Sequence, residues 1–138
     1  MYIPNRGDFI WINFDPQTGH EQMGKRPALV VSHDGFNQRM GFAFVYPISN
    51  TKRQNLFYIT IPDDAAVTGV IMVDQMRSLD FRARKASFIG ECPYLLLQDV
   101  LRRIKPIIFS TAWHDSYILP ELHPLPLDWQ FQTPLADT

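Results

Sequence analysis

Within its first fifty residues the chain sets down three runs built almost wholly of β-branched and aromatic side chains: DFIWINF at 8–14, PALVVS at 27–32 and FAFVYPIS at 42–49. Side chains of that kind suit a pleated, buried surface better than a helix, so the first third of the molecule is committed to a sheet. Shorter runs of the same character follow at 56–61 (LFYITI), 69–73 (GVIMV), 76–80 (MRSLD) and 85–90 (KASFIG), with turn-forming residues between them. A helical turn is expected in HDGFNQRM, after the second strand. The convincing helix is YLLLQDVLRRIK, where Leu97, Val100, Leu101 and Ile104 recur at helical spacing and Asp99, Arg102 and Arg103 occupy other faces. Pro106 is expected to end or kink it. The expected fold is therefore mainly β, a small antiparallel sheet or partial barrel followed by a C-terminal helix.

A chain of 138 residues that is 46% hydrophobic has room for one real core and not for two ordinary ones. The sequence divides into a domain at 1–109 and an extension at 110–138, in which Pro120, Pro124, Pro126 and Pro134 alternate with Trp113, Tyr117, Trp129 and Phe131 and no regular structure is expected. The net charge of −1 conceals an asymmetry between the two parts. Four carboxylates, Asp115, Glu121, Asp128 and Asp137, lie in the extension with no Lys or Arg, which leaves residues 1–109 with 13 cations against 10 carboxylates. Clusters such as Lys52-Arg53, Arg82-Ala83-Arg84-Lys85 and Arg102-Arg103 permit a polyanionic partner without requiring one. A single cysteine, Cys92, allows no internal disulfide framework, and neither a signal peptide nor a membrane span is evident, so a cytoplasmic setting with no membrane partner is expected.

The connection from Asp15 to Lys25 is long for a hairpin in so small a domain, and Gly19 and Gly24 within it favour mobility or close approach to a ligand. It gathers His20, Glu21 and Lys25 just before Arg26, which precedes Pro27 and should therefore be extended at the base of the second strand, where a guanidinium fork can meet a phosphate. A metal site drawn from His20, Glu21, His33 and Asp34 lacks ligand spacing, and neither a serine or cysteine nucleophile signature nor a glycine-rich phosphate loop is present. What remains is chemistry without metal or cofactor from histidine, carboxylate, arginine and hydroxyl groups. Those are the materials of RNA cleavage by the adjacent 2′-hydroxyl, in which a base removes the 2′ proton, cations stabilise the phosphorane and an acid protonates the leaving oxygen.

Four separated motifs in order, RGDFIWINFDP, GHEQMGKRPALVVS with FNQ after it, YPIS, and VDQMRSLDFRAR, resemble the MazF/PemK (Kid) type toxins of bacterial toxin-antitoxin systems from about Tyr2 to Phe109. The resemblance implies an SH3-like partial barrel acting as a homodimer. It also implies a sequence-specific, metal-independent endoribonuclease, or mRNA interferase, that cuts single-stranded RNA to 2′,3′-cyclic phosphate and 5′-hydroxyl ends and is neutralised by a MazE-type antitoxin. By position, Arg26 matches the arginine held at the scissile phosphate, and Ser49 stands where many members have a phosphate-contacting threonine. His20 and Glu21 match a GHEQ motif, and Asp74 matches the aspartate of a DQ motif proposed as general base. Met72 stands where some members have an acid-role arginine, so the acid falls to His20 and the phosphorane to Arg26, while Asp74 and Glu21 both remain candidates for the base. Lys25, Lys52, Arg53, Gln75, Arg77 and Arg84 are expected on the RNA-facing surface. Two alternatives share the fold: a gyrase-binding toxin like CcdB, and a catalytically silent module that binds RNA or antitoxin. The extension lies outside the resemblance and admits two readings, a strap over an apolar patch of its own domain or a segment that mimics antitoxin in the RNA groove.

Overall fold

The computed structural model describes residues 1–15, 24–51 and 55–109. Among the described residues seven strands and two helices run in the order β1 (Asp8–Asn13), β2 (Lys25–Val30), α1 (Asp34–Met40), β3 (Ala43–Ser49), β4 (Tyr58–Thr60), β5 (Val70–Met72), β6 (Arg77–Leu79), β7 (Ser87–Glu91) and α2 (Tyr94–Ile108). Every strand pairing is antiparallel. The spatial order is β4-β5-β3-β2-β1-β7, with β6 paired to β3 off this path. Strand β3 thus serves β2 on one edge and two strands on the other: Ala43 to Val45 pair with β6, and Ile48 and Ser49 pair with β5.

The unbroken apolar character of β1 has a direct cause, because both faces of its sheet are covered. Phe9 joins a cluster with Leu29, Tyr46, Ile48 and Ile71, against which α2 packs Leu96 and Val100. Ile10 and Ile12 point the other way into a second cluster with Ala28, Val30, Ala43, Val45, Leu79 and Phe81. Alternation along a strand therefore separates two cores rather than core from solvent. This is the mainly β architecture with a terminal helix that the strand pattern implies.

The expected helical turn is α1. His33 caps it, its Nδ1 accepting from the Phe36 amide at 3.2 Å, and Gly41 ends it at φ 76°. Asn37, fully buried, donates through Nδ2 to the carbonyls of Pro4 at 2.7 Å and Ser32 at 3.0 Å and accepts from the Ser32 hydroxyl, which pins α1 to both flanking segments. Two expectations shift. Strand β2 begins at Lys25, ahead of Pro27, because Lys25 and Arg26 pair with Asn13 and Ile12. Pro106 does not end α2, which continues to Ile108 with the Phe109 amide bonded to Lys105 O at 2.8 Å. So near the C-terminus the proline removes one ladder bond from a turn that is already the last. Among the described residues no helix is long and apolar enough to cross a membrane.

Candidate RNA-binding and catalytic site

One end of β1 and β2 meets the turn between β5 and β6 around an open cleft of about 520 Å³, lined by Phe14, Asp15, Gly24, Arg26, Pro47, Met72, Gln75 and Arg77. Arg26 is held extended in β2 opposite Ile12, and its side chain is exposed. Arg77 opens β6 opposite Val45 and lays its guanidinium over the Phe14 ring at 5.5 Å. Two cations on rigid strands therefore flank a floor made of Phe14, Pro47 and Met72. Gln75 sits in the turn after β5, its amide nitrogen bonded to Met72 O at 3.1 Å and its Nε2 donating to the Tyr58 hydroxyl at 3.2 Å.

Gly24 is where the cleft wall is tightest. A Cβ there would stand 2.3 Å from Asn13 Oδ1 and 3.0 Å from Asp15 O, while Gly24 O accepts from the Phe14 amide at 2.8 Å. The close approach expected of this glycine is thus made to the end of its own neighbouring strand.

Ser49 ends β3, its Oγ accepting from the Thr51 amide at 3.1 Å. It is not a lining residue, but the β2–β3 register, in which Ala28 faces Pro47, sets Ser49 across from Arg26 when carried two residues past the last pair. Asp74 is exposed in the β5–β6 turn, and its charge reaches Tyr46: burial first, and the Asp74 carboxylate second, push the Tyr46 hydroxyl up to about 12. Lys25 is exposed at the start of β2 opposite Asn13. Arg84 stands apart from the lining residues. Its NH1 group donates to the carbonyls of Asn13 at 3.2 Å and Phe14 at 2.9 Å, so it clamps the end of β1 that carries the cleft floor. His20, Glu21, Lys52 and Arg53 lie outside the described residues.

The structure thus brings Arg26, Gln75 and Arg77 together at one opening and sets Ser49 and Asp74 near its margins. Phe14, Pro47 and Asp15 also line this surface, beyond the residues expected there. The available signal was FDP at the end of the first strand run, where an aromatic stands just past the last paired position. Among the described residues no group of three or more His, Cys, Asp or Glu is placed to hold a metal ion.

Residues 5–108 match the family model of the PemK-like, MazF-like toxin of type II toxin-antitoxin systems. The chain is 38% identical over 108 residues to the endoribonuclease toxin ChpB of Escherichia coli K12, covering 75% of this chain and 92% of that protein. It is 34% identical over 107 residues to the endoribonuclease toxin MazF of the same strain, covering 78% and 96%. The fold superposes with a TM-score of 0.71 on a chain of the MazE-MazF crystal structure from Deinococcus radiodurans, at 31% identity and covering 80% of this chain and 100% of that one.

Proposed function

The chain belongs to the PemK-like, MazF-like toxin family of type II toxin-antitoxin systems, and from that membership we propose that it is an endoribonuclease toxin. In this reading it cuts single-stranded RNA in the cytoplasm, acts as a homodimer and is neutralised by a MazE-type antitoxin. The observation that supports it best is the pair of strand-borne guanidiniums, Arg26 and Arg77, flanking one open cleft beside an amide, Gln75. Among the described residues Arg26 meets no carboxylate, so its charge is available to an incoming anion.

The reaction follows from these groups without metal or cofactor. A carboxylate, Asp74 or Glu21, takes the proton from the 2′-hydroxyl as its oxygen bonds to phosphorus. The bond to the 5′ oxygen then breaks, and His20 returns a proton to that leaving group. Arg26 stabilises the added negative charge on the phosphorane, and the Ser49 hydroxyl contacts the same phosphate. Lys25, Lys52, Arg53 and Arg77 track the backbone, Gln75 reaches a base edge, and Arg84 contributes by fixing the end of β1. The gyrase-binding and silent-module alternatives give Arg26 no phosphate to act on chemically. Incubating the protein with a long RNA in EDTA and mapping new 5′ ends separates the three. Recurrent cuts with 5′-hydroxyl termini are expected; RNA bound but uncut selects the silent module, and growth arrest with RNA neither bound nor cut selects a protein target.

A further inference from the structure

The extension at 110–138 is an addition to the family domain. The family match stops at residue 108, and relatives that are almost wholly covered, 92% of ChpB and 96% of MazF, take up only 75% and 78% of this chain. Its make-up is unusual for an addendum: four carboxylates and no Lys or Arg, following a body in which cations exceed carboxylates. The first three acids each have a large apolar neighbour close by, as in Trp113-His114-Asp115, Leu119-Pro120-Glu121-Leu122 and Leu127-Asp128-Trp129. The segment also carries four prolines from Pro120 to Pro134, and a proline-rich chain has less backbone freedom to lose on binding.

The cleft presents the complement of that pattern. Phe14, Pro47 and Met72 form an apolar floor, and two cations, Arg26 and Arg77, outnumber the one carboxylate of the lining, Asp15. The exposed apolar residues Tyr94, Leu95, Ile107 and Ile108 of α2, with Leu56 ahead of β4, offer surface to an apolar strap, and Arg102 and Lys105 are exposed on the same helix while Arg103 is engaged with Asp99 at 3.5 Å and with the Leu56 carbonyl. The outside of a helix is convex, whereas the cleft is a concave space of about 520 Å³ that can enclose a large apolar side chain with a carboxylate beside it, so the cleft suits this pattern better. Reach is no obstacle, since 29 residues extended at about 3.3 Å each exceed the diameter of so small a domain several-fold.

We propose that residues 110–138 dock back into the cleft of Arg26, Arg77, Phe14 and Met72 and hold the protein in a self-inhibited state. The inhibition, though not the docking, rests on the endoribonuclease reading. Carboxylates occupy the places of phosphates and the large apolar residues occupy the floor, so RNA must displace the segment. With an effective concentration on the order of 1 mM against an intrinsic affinity of about 0.1 mM, the apparent RNA affinity is lowered about tenfold.

The test compares the full chain with a full-length variant carrying Asp115→Asn, Glu121→Gln and Asp128→Asn. Docking is read by the amide NMR positions of Gly24, Arg26, Gln75 and Arg77. Inhibition is read by the affinity for a single-stranded RNA made uncleavable by 2′-deoxy substitution, and by cleavage of the natural RNA. The expected result is a shift of the cleft amides in the variant with about tenfold tighter binding and faster cleavage, the gain shrinking as salt rises. Unmoved cleft amides with equal affinity overturn the proposal, as does movement confined to Leu56, Tyr94 and Leu95, which places the segment on α2. Moved cleft amides with unchanged affinity overturn self-inhibition and leave docking. Moved amides with no cleavage by either protein uphold docking and refute the endoribonuclease reading.

Discussion

Arg26 carries more of the proposed chemistry than any other described residue, and its position follows from its neighbour. Proline at 27 keeps the preceding residue extended, and the pairing with Ile12 fixes the strand on which the guanidinium stands. Arg26→Ala is expected to lower cleavage at least about a hundredfold, the usual loss when one group stabilising a developing anion is removed, while the urea unfolding midpoint stays unchanged because the side chain is exposed. Arg26→Lys should rescue little, since an ammonium lacks the planar fork. Substantial cleavage by folded Arg26→Ala would take the residue out of the reaction. His20→Ala is expected to slow natural RNA far more than a substrate with an activated leaving group, as befits an acid; equal losses on the two would make it a positioning residue. Tyr46 gives a prediction about stability. Burial and the Asp74 carboxylate raise its hydroxyl from 10.0 to about 12, so the folded state holds a proton that the unfolded chain releases near pH 10. Its contribution is complete below pH 10 and is lost as pH climbs towards 12, on the order of 2 kcal/mol over that window. Tyr46→Phe should therefore flatten the alkaline fall of the unfolding free energy, and an identical slope in the variant would contradict this origin. At this scale the sequence showed Arg26, Gln75 and Arg77 through their motifs. It did not show that Arg84, in an equally basic stretch, has its NH1 group occupied by the Asn13 and Phe14 carbonyls, because that bond joins residues about seventy positions apart.

The elements were legible where a segment's own composition decides its structure, and less so where a distant partner does. Strands β1 and β3 follow the apolar runs closely because both are buried on two sides. The run at 56–61 shrinks to Tyr58–Thr60, since β4 lasts only as long as the short β5 it pairs with, Tyr58 to Met72 and Thr60 to Val70. Likewise the start of β2 at Lys25 is set by Asn13 across the ladder and not by any local apolar pattern. Helix α1 shows the reverse case, where capping residues are visible in sequence but the reason the helix stays in place is not: the buried amide of Asn37 holds two carbonyls and one hydroxyl from flanking segments. Asn37→Ala leaves those groups buried without their partner and is expected to cost about 1–3 kcal/mol for the first unsatisfied group, with a smaller addition for others that relax to water. Chemical denaturation should record that loss while activity per folded molecule persists, because α1 contributes no lining residue to the cleft. A variant as stable as the parent would show that the network carries no net weight.

For the whole molecule, the decisive feature is that the described residues alone build two closed hydrophobic clusters. Among the described residues, every member of the two hydrophobic clusters, partly buried ones included, lies between Tyr2 and Ile104. The family match ends at residue 108, close to the end of α2. The division into a domain at 1–109 and an extension at 110–138 is therefore a proposal with a thermodynamic consequence. Ending the chain after Phe109 keeps every described member of both clusters, so if 1–109 is an autonomous domain the truncated protein should unfold in one cooperative transition with a urea dependence reduced only in proportion to the shorter chain. A segment that docks in the cleft with a tenfold equilibrium in its favour stabilises the folded state by about 1.4 kcal/mol, and that is the ceiling on what truncation should take away. A strap that seals apolar surface makes a different demand. Uncovering Leu56, Tyr94, Leu95 and Ile108 together would cost several kcal/mol at about 25 cal/mol per Å² and would expose a surface able to bind hydrophobic dyes. Calorimetry of the two chains side by side, with dye binding measured at the same time, decides between them: a loss within about 1.4 kcal/mol and no new dye binding supports an autonomous domain, and a loss well beyond it makes the extension part of the fold.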